Sequence, residues 1–178
     1  MALESQLSYQ IAAIRGGSFR LVLPREASAI LWMAEEESAR GAALLRELEK
    51  RFRRELSVTA DSVHLELREA AGLEAQAGEN SVQPGKIIDA LLLMPDGIYQ
   101  MNESLEGLVD TSDNLGEVYF DGESLRLITE IRSATESLRT YLFQRMQRLA
   151  AVLGGSCTAD TVYPSWDFNA VIDRKSVV

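Results

Sequence analysis

Gly107 to Ser133 reads GLVDTSDNLGEVYFDGESLRLITEIRS, and its hydrophobic period decides the fold. Val118 and Phe120 alternate with Glu117, Tyr119 and Asp121; Leu125, Leu127, Thr129 and Ile131 alternate with Arg126, Ile128, Glu130 and Arg132. A period of two marks strands whose side chains point in turn to opposite sides of a sheet. With Gly122 and Glu123 as the loop of a type II′ turn, Phe120 pairs with Leu125 and Val118 with Leu127, which makes one face of the hairpin apolar. The same register sets Asp113 and Asn114 alongside Ile131 and Arg132 at the far end, so an amide and a guanidinium meet there. In a regular ladder Asn114 and Arg132 fall on opposite faces, and only a bulge reverses this.

Working outward, Tyr9 to Ile14 reads as a strand, Gly16-Gly17 and Pro24 punctuate a loop, and Ala27 to Met33 is a second strand. Glu35 to Leu56 has Leu44, Leu45, Leu48, Phe52 and Leu56 at helical spacing, with three glutamates at the end where the helix dipole favours them. Asp61 to Glu69 alternates as a strand, and Ala70 to Gly85 reads as a linker. Lys86 to Met94 is a short apolar helix stopped by Pro95-Asp96-Gly97. After the hairpin, Ser133-x-x-Glu136 predicts a capping box, Gly154-Gly155 a helix stop, and Ser156 to Tyr163 a last strand. Residues 9–69 and 107–163 thus share the order strand, strand, helix, strand, joined by 70–106. The expected fold is α+β, an antiparallel β-sheet with helices packed on one face, in one domain spanning 8–169 between tails 1–7 and 170–178.

Composition narrows the function. At 178 residues and 46% hydrophobic the chain can bury one core. A net charge of -9 argues against nucleic acid or an anionic membrane as partner, since phosphates need clustered Lys and Arg. The basic run Arg46 to Arg54 is interleaved with Glu47 and Glu49, as on a solvated helix face. Cys157 is the single cysteine, which excludes an internal disulfide, and the N-terminus shows no apolar signal segment; both fit a cytoplasmic setting. Cys157 reads as a small buried hydrophobe rather than a nucleophile.

VDTSDNLGEV followed by ITEIRS resembles the TS-x-N-x-G-x-V and IRS segments of the aminoacyl-histidine dipeptidases, carnosine-splitting metallopeptidases. GGSFRLVLPREA (Gly16 to Ala27), LLLMPDGI (Leu91 to Ile98) and YPSW (Tyr163 to Trp166) extend the resemblance in the family's order. Four short motifs in order over about Ser8 to Asn169 match the family's inserted lid, or dimerisation, domain. The resemblance implies a homodimer formed through the lid, a dipeptide substrate, and a catalytic domain outside this chain that holds two zinc or other divalent ions. None is expected within the chain, because a two-metal site needs several converging imidazoles and carboxylates and the sequence has one histidine. That residue, His64, lies on the polar side of its expected strand and reads as solvent-facing.

Two lid positions carry over by motif as substrate-binding residues, Arg132 and Asn114. The resemblance implies that Arg132 clamps the substrate carboxylate, a task suited to a planar bidentate donor. The residues alone leave alternatives open: Arg132 could pair with Asp113 or Glu136, and Asn114 could form a turn beside Gly116. Family members usually have Asn where this chain has Leu21. Gly16 and Gly17 fit a tight backbone conformation better than an anion site. The sequence therefore reads as the lid and dimerisation domain of a metal-dependent dipeptidase, inactive alone; the alternative is a stand-alone α+β interaction or small-ligand-binding module.

Overall fold

The computed structural model describes residues 7–56, 63–68, 82–162 and 165. Its elements are β1 (Tyr9–Gly16), β2 (Ala27–Met33), α1 (Glu35–Glu55), α2 (Pro84–Leu93), β3 (Gly97–Met101), β4 (Val109–Phe120), β5 (Leu125–Ser133) and α3 (Glu136–Leu153). The fold is α+β, a five-stranded sheet with the order β2-β1-β4-β3 and β5 on the remaining edge of β4. The chain divides into two compact units, Met1–Ala13 with Ala29–Asn80 and Ile14–Ser28 with Ser81–Val178.

In the first unit α1 begins at Ala34 without a side-chain cap, and Glu35, Glu36 and Glu37 in its first turn supply the charge the helix N-terminus favours. Gly41 is its one buried residue, and a Cβ there would stand in ordinary contact with Met33 Sδ at 3.5 Å and Leu7 Cδ1 at 3.7 Å. Leu44, Leu45 and Leu48 are half-buried, as their spacing predicts, whereas Phe52 and Leu56 are exposed. The strand expected at Asp61 to Glu69 is not formed: residues 63–68 are irregular, and its ends lie outside the described residues. Arg53 reaches across to that segment instead, donating from Nε to the Val63 carbonyl at 3.0 Å.

The second unit is built on β4. β5 pairs along one side from Thr111↔Ser133 to Phe120↔Leu125, with Val118 opposite Leu127, the register that the hairpin pattern predicts. On the other side β3 pairs with the first half of β4 and Ile14–Gly16 of β1 with the last residues, both antiparallel. Asp121 closes the hairpin by accepting the Glu123 and Ser124 N–H groups on Oδ1, while Gly122 takes φ 94. α3 packs on β5 and α2 on α3. Phe120, Leu142, Met146, Ile87 and Ala90 form the core between them.

Three expectations differ here. β3 lies in 70–106, which the sequence pattern gives only as a connection; register shifts on either side of Gln100 break its regular pairing. Ser133 does not cap α3: the N-cap is Thr135, without a side-chain bond, because the Ser133 hydroxyl is committed to the Thr135 carbonyl at 2.8 Å and to Thr111 Oγ1 at 2.8 Å. Ser156 to Tyr163 is not a strand over its described residues, so the closing strand of both expected repeat units is missing there. α3 does stop where Gly154 adopts φ 84, the left-handed conformation that a C-terminal glycine supplies.

Candidate functional site

Gly116 is the residue on which the site turns. The ladder slips between Leu115 and Glu117, so β4 carries one extra residue there and the alternation of its N-terminal half is reversed. Ser112 now lies opposite Arg132 and Asn114 opposite Glu130. Paired residues share a face, so the bulge brings Asn114 and Arg132 to the same side of the sheet. Thr111 and Asp113 turn to the other side and are buried.

The bulge also seats the loop that follows β1. Gly17 donates its N–H to the Glu26 carbonyl at 3.1 Å, closing the loop at its base. Asn114 Nδ2 donates to the Arg20 carbonyl at 2.7 Å and to the Val22 carbonyl at 3.1 Å. The backbones touch where the side chains are missing: a Cβ on Gly116 would stand 2.4 Å from Arg20 Cα, and one on Gly17 would stand 1.9 Å from the Gly116 carbonyl oxygen. Gly17 moreover has φ 65. Arg20 Nε reaches Glu130 at 3.7 Å on the same face. The tip of the loop exposes Phe19, Leu21, Val22 and Leu23.

Arg132 stands beside this seat, exposed. It forms no ion pair among the described residues, and the two carboxylates that could have held it are otherwise engaged. Asp113 is on the opposite face, and Glu136 pairs with Arg139 and accepts from Ser165 at 3.2 Å. Asn114 is not a turn residue either, since it sits within β4. Asp113 is 3% exposed and accepts from Thr129 Oγ1 at 2.6 Å, while its second oxygen is buried without a partner. Burial pushes its carboxyl up to about 6.

Among the described residues no nucleophile and base converge on this face. His64 belongs to the other unit, exposed, with Arg53 Nη2 2.9 Å from its Nδ1. The Cys157 thiol is raised by burial, which suppresses the thiolate. Among the described residues no three His, Cys, Asp or Glu side chains are grouped to hold a metal ion. The face presents the exposed Arg132 guanidinium, without an ion pair among the described residues, beside a loop held by Asn114.

No family model matches the chain. The cytosol non-specific dipeptidase of Escherichia coli (strain K12) is 25% identical over 165 residues, which are 93% of this chain and 34% of that protein. This chain is thus similar to about a third of that dipeptidase. The crystal structure of aminoacylhistidine dipeptidase from Vibrio alginolyticus superposes with a TM-score of 0.83 at 26% identity, again over 93% of this chain and 34% of the other. The chain thus spans about a third of the length of the dipeptidases it resembles, and its fold is that of one portion of them. No described helix is long and apolar enough to cross a membrane.

Proposed function

We propose that residues 8–169 are the lid and dimerisation domain of a cytoplasmic, metal-dependent aminoacyl-histidine dipeptidase. In this reading a catalytic domain holds the divalent ions, zinc by expectation, and the lid closes over its active site. When bound, such ions would supply Lewis acidity for peptide-bond hydrolysis; among the described residues of this chain no three His, Cys, Asp or Glu side chains are grouped to hold one. Arg132 then meets the substrate carboxylate with two parallel N–H donors. The observation that carries the reading is the exposed guanidinium of Arg132, unpaired among the described residues, on the face shared with Asn114.

Asn114 serves the same site by holding the loop. Both of its amide hydrogens are given to backbone carbonyls, so it acts on a ligand through the position of Arg20 to Val22. A homodimer through the lid is supported by the edge of β3, unpaired among the described residues, and by its exposed apolar side chains.

The test joins the chain to the coding sequence that flanks it and assays aminoacyl-histidine dipeptides with added divalent metal. Metal-dependent hydrolysis is expected. A joined polypeptide that folds, binds metal and cleaves no dipeptide would overturn the reading.

A further inference from the structure

The face that carries Asn114 and Arg132 continues to the other end of β4, where a second group of residues is gathered. Arg15 on β1 pairs with Tyr119 on β4, and Tyr119 pairs in turn with Arg126 on β5. Three side chains therefore form a row across three strands, all on one side of the sheet. The Arg15 guanidinium lies over the Tyr119 ring, with Cζ 5.1 Å from the centroid. Tyr119 donates its hydroxyl proton to Glu117 Oε2 at 2.6 Å, and Glu117 forms no ion pair with either arginine. Arg15 and Arg126 are exposed, and neither has an ion-pair partner among the described residues.

We propose that the row Arg15, Tyr119 and Arg126 docks an acidic segment of another protein, with one carboxylate on each guanidinium. Neighbouring strands lie about 4.8 Å apart, so the two arginines are rooted roughly 10 Å from each other. One carboxylate cannot serve both. Two acidic residues in an extended peptide, separated by one or two others, are about 7 to 10 Å apart and can. Each guanidinium presents the planar fork that a carboxylate fills with two hydrogen bonds. Tyr119 between them gives a flat apolar floor, and tyrosine with arginine is the pairing of residue types on which binding energy concentrates at interfaces. The stacking of Arg15 on the ring fixes its guanidinium before the partner arrives, which reduces the ordering cost.

Charge chooses the kind of partner. The chain as a whole carries -9, which repels the dense phosphates of nucleic acid, whereas a short acidic segment needs only the local pair. Glu117 flanks the middle of the row, two residues before Tyr119 on β4, so the incoming carboxylates are to be met by the two arginines at its ends. The row is independent of the dipeptidase reading, since it uses neither Arg132 nor the loop.

The experiment titrates a fluorescein-labelled peptide of alternating glutamate and serine with the whole chain at low salt and follows anisotropy. The same peptide with glutamine for glutamate, and a single-stranded oligothymidine, are titrated beside it. Saturable binding of the glutamate peptide alone is expected, weakening as salt is added. Replacing both arginines, Arg15→Ala with Arg126→Ala, should weaken it about tenfold or more, while Arg54→Ala on α1 should leave it unchanged. Circular dichroism checks that the double variant is folded; if it is not, Arg15→Lys with Arg126→Lys is read in its place and should bind more weakly than the parent, because lysine keeps the charge and loses the fork. No saturable binding up to millimolar concentration, undiminished binding by the folded double variant, or equal binding of the glutamine peptide or the oligothymidine would each overturn the proposal.

Discussion

Asn114 gives its side-chain amide to the carbonyl of Arg20 at 2.7 Å, joining two segments 94 residues apart in the chain. The bond is part-buried and is doubled by the one to Val22. Asn114→Ala leaves two carbonyls without their donor, at a cost of about 1 to 3 kcal/mol. Asn114→Asp should cost more, since a carboxylate would face the same oxygens. Thermal unfolding measures the loss, and faster hydrogen exchange confined to residues 17–26 would locate it in the loop.

Gly116→Ala tests the same seat by steric means. The new methyl would meet Arg20 backbone at 2.4 Å, and backbone cannot turn aside as a side chain can. The loop has to lift or the bulge has to shift, a cost of about 1 to 3 kcal/mol. Gly154→Ala is a control with no close neighbour, where only the strain of φ 84 opposes the change. Urea unfolding should therefore distinguish the two variants by the hydrogen exchange of the loop, which only Gly116→Ala disturbs.

Asp113 makes the stability of the unit depend on pH. Its carboxyl is raised from an ordinary value of 3.8 to about 6 because burial disfavours the charge. The folded state then holds the proton more tightly than the unfolded state. The associated stability is fully present below about pH 4, is lost as the pH rises to about 6, and stays lost above it. Roughly 2 to 3 kcal/mol is at stake. Asp113→Asn removes the charge while keeping an acceptor for Thr129, so it should raise the melting temperature at pH 7.5 and flatten this part of the pH profile. An unchanged profile would remove Asp113 as the cause.

Self-association is expected at the edge of the sheet. β3 has a strand neighbour on one side only among the described residues, and Ile98 and Met101 on it are 63% and 44% exposed. Leu92 and Leu93 near the end of α2 are also exposed. A stable pairing should bury on the order of 1,200 Å² or more. Light scattering is expected to find a dimer, and Ile98→Lys to shift it toward monomer; a monomer throughout the micromolar range would contradict this.

The hairpin was legible because its two strands alternate without interruption from Val118 to Phe120 and from Leu125 to Ile131, and this alone set Phe120 against Leu125. The bulge at Gly116 was not, since one unpaired residue leaves no mark on composition and reverses every assignment upstream of it. Motif resemblance singles out Arg132 and Asn114, and a ladder without the bulge puts them on opposite faces. β3 escaped because its own bulges break the period of two. The closing strands at 61–69 and 156–163 were suggested by alternation alone, and alternation is equally available to an extended, unpaired segment. Asp113 as a buried acid could not be anticipated until the bulge had turned it inward.

Arg132 tests the central claim. It is exposed and forms no ion pair among the described residues, so Arg132→Ala should change the stability of this chain by no more than about 0.5 kcal/mol. In the polypeptide joined to its catalytic domain the same change should lower kcat/KM for dipeptides about 10- to 150-fold, the loss of a charge-assisted contact worth roughly 1.5 to 3 kcal/mol. Thermal unfolding of the domain variant, set beside the kinetics of the joined variant, gives both numbers. A stable domain with a crippled enzyme is the predicted result; a destabilised domain with undiminished turnover would contradict the account.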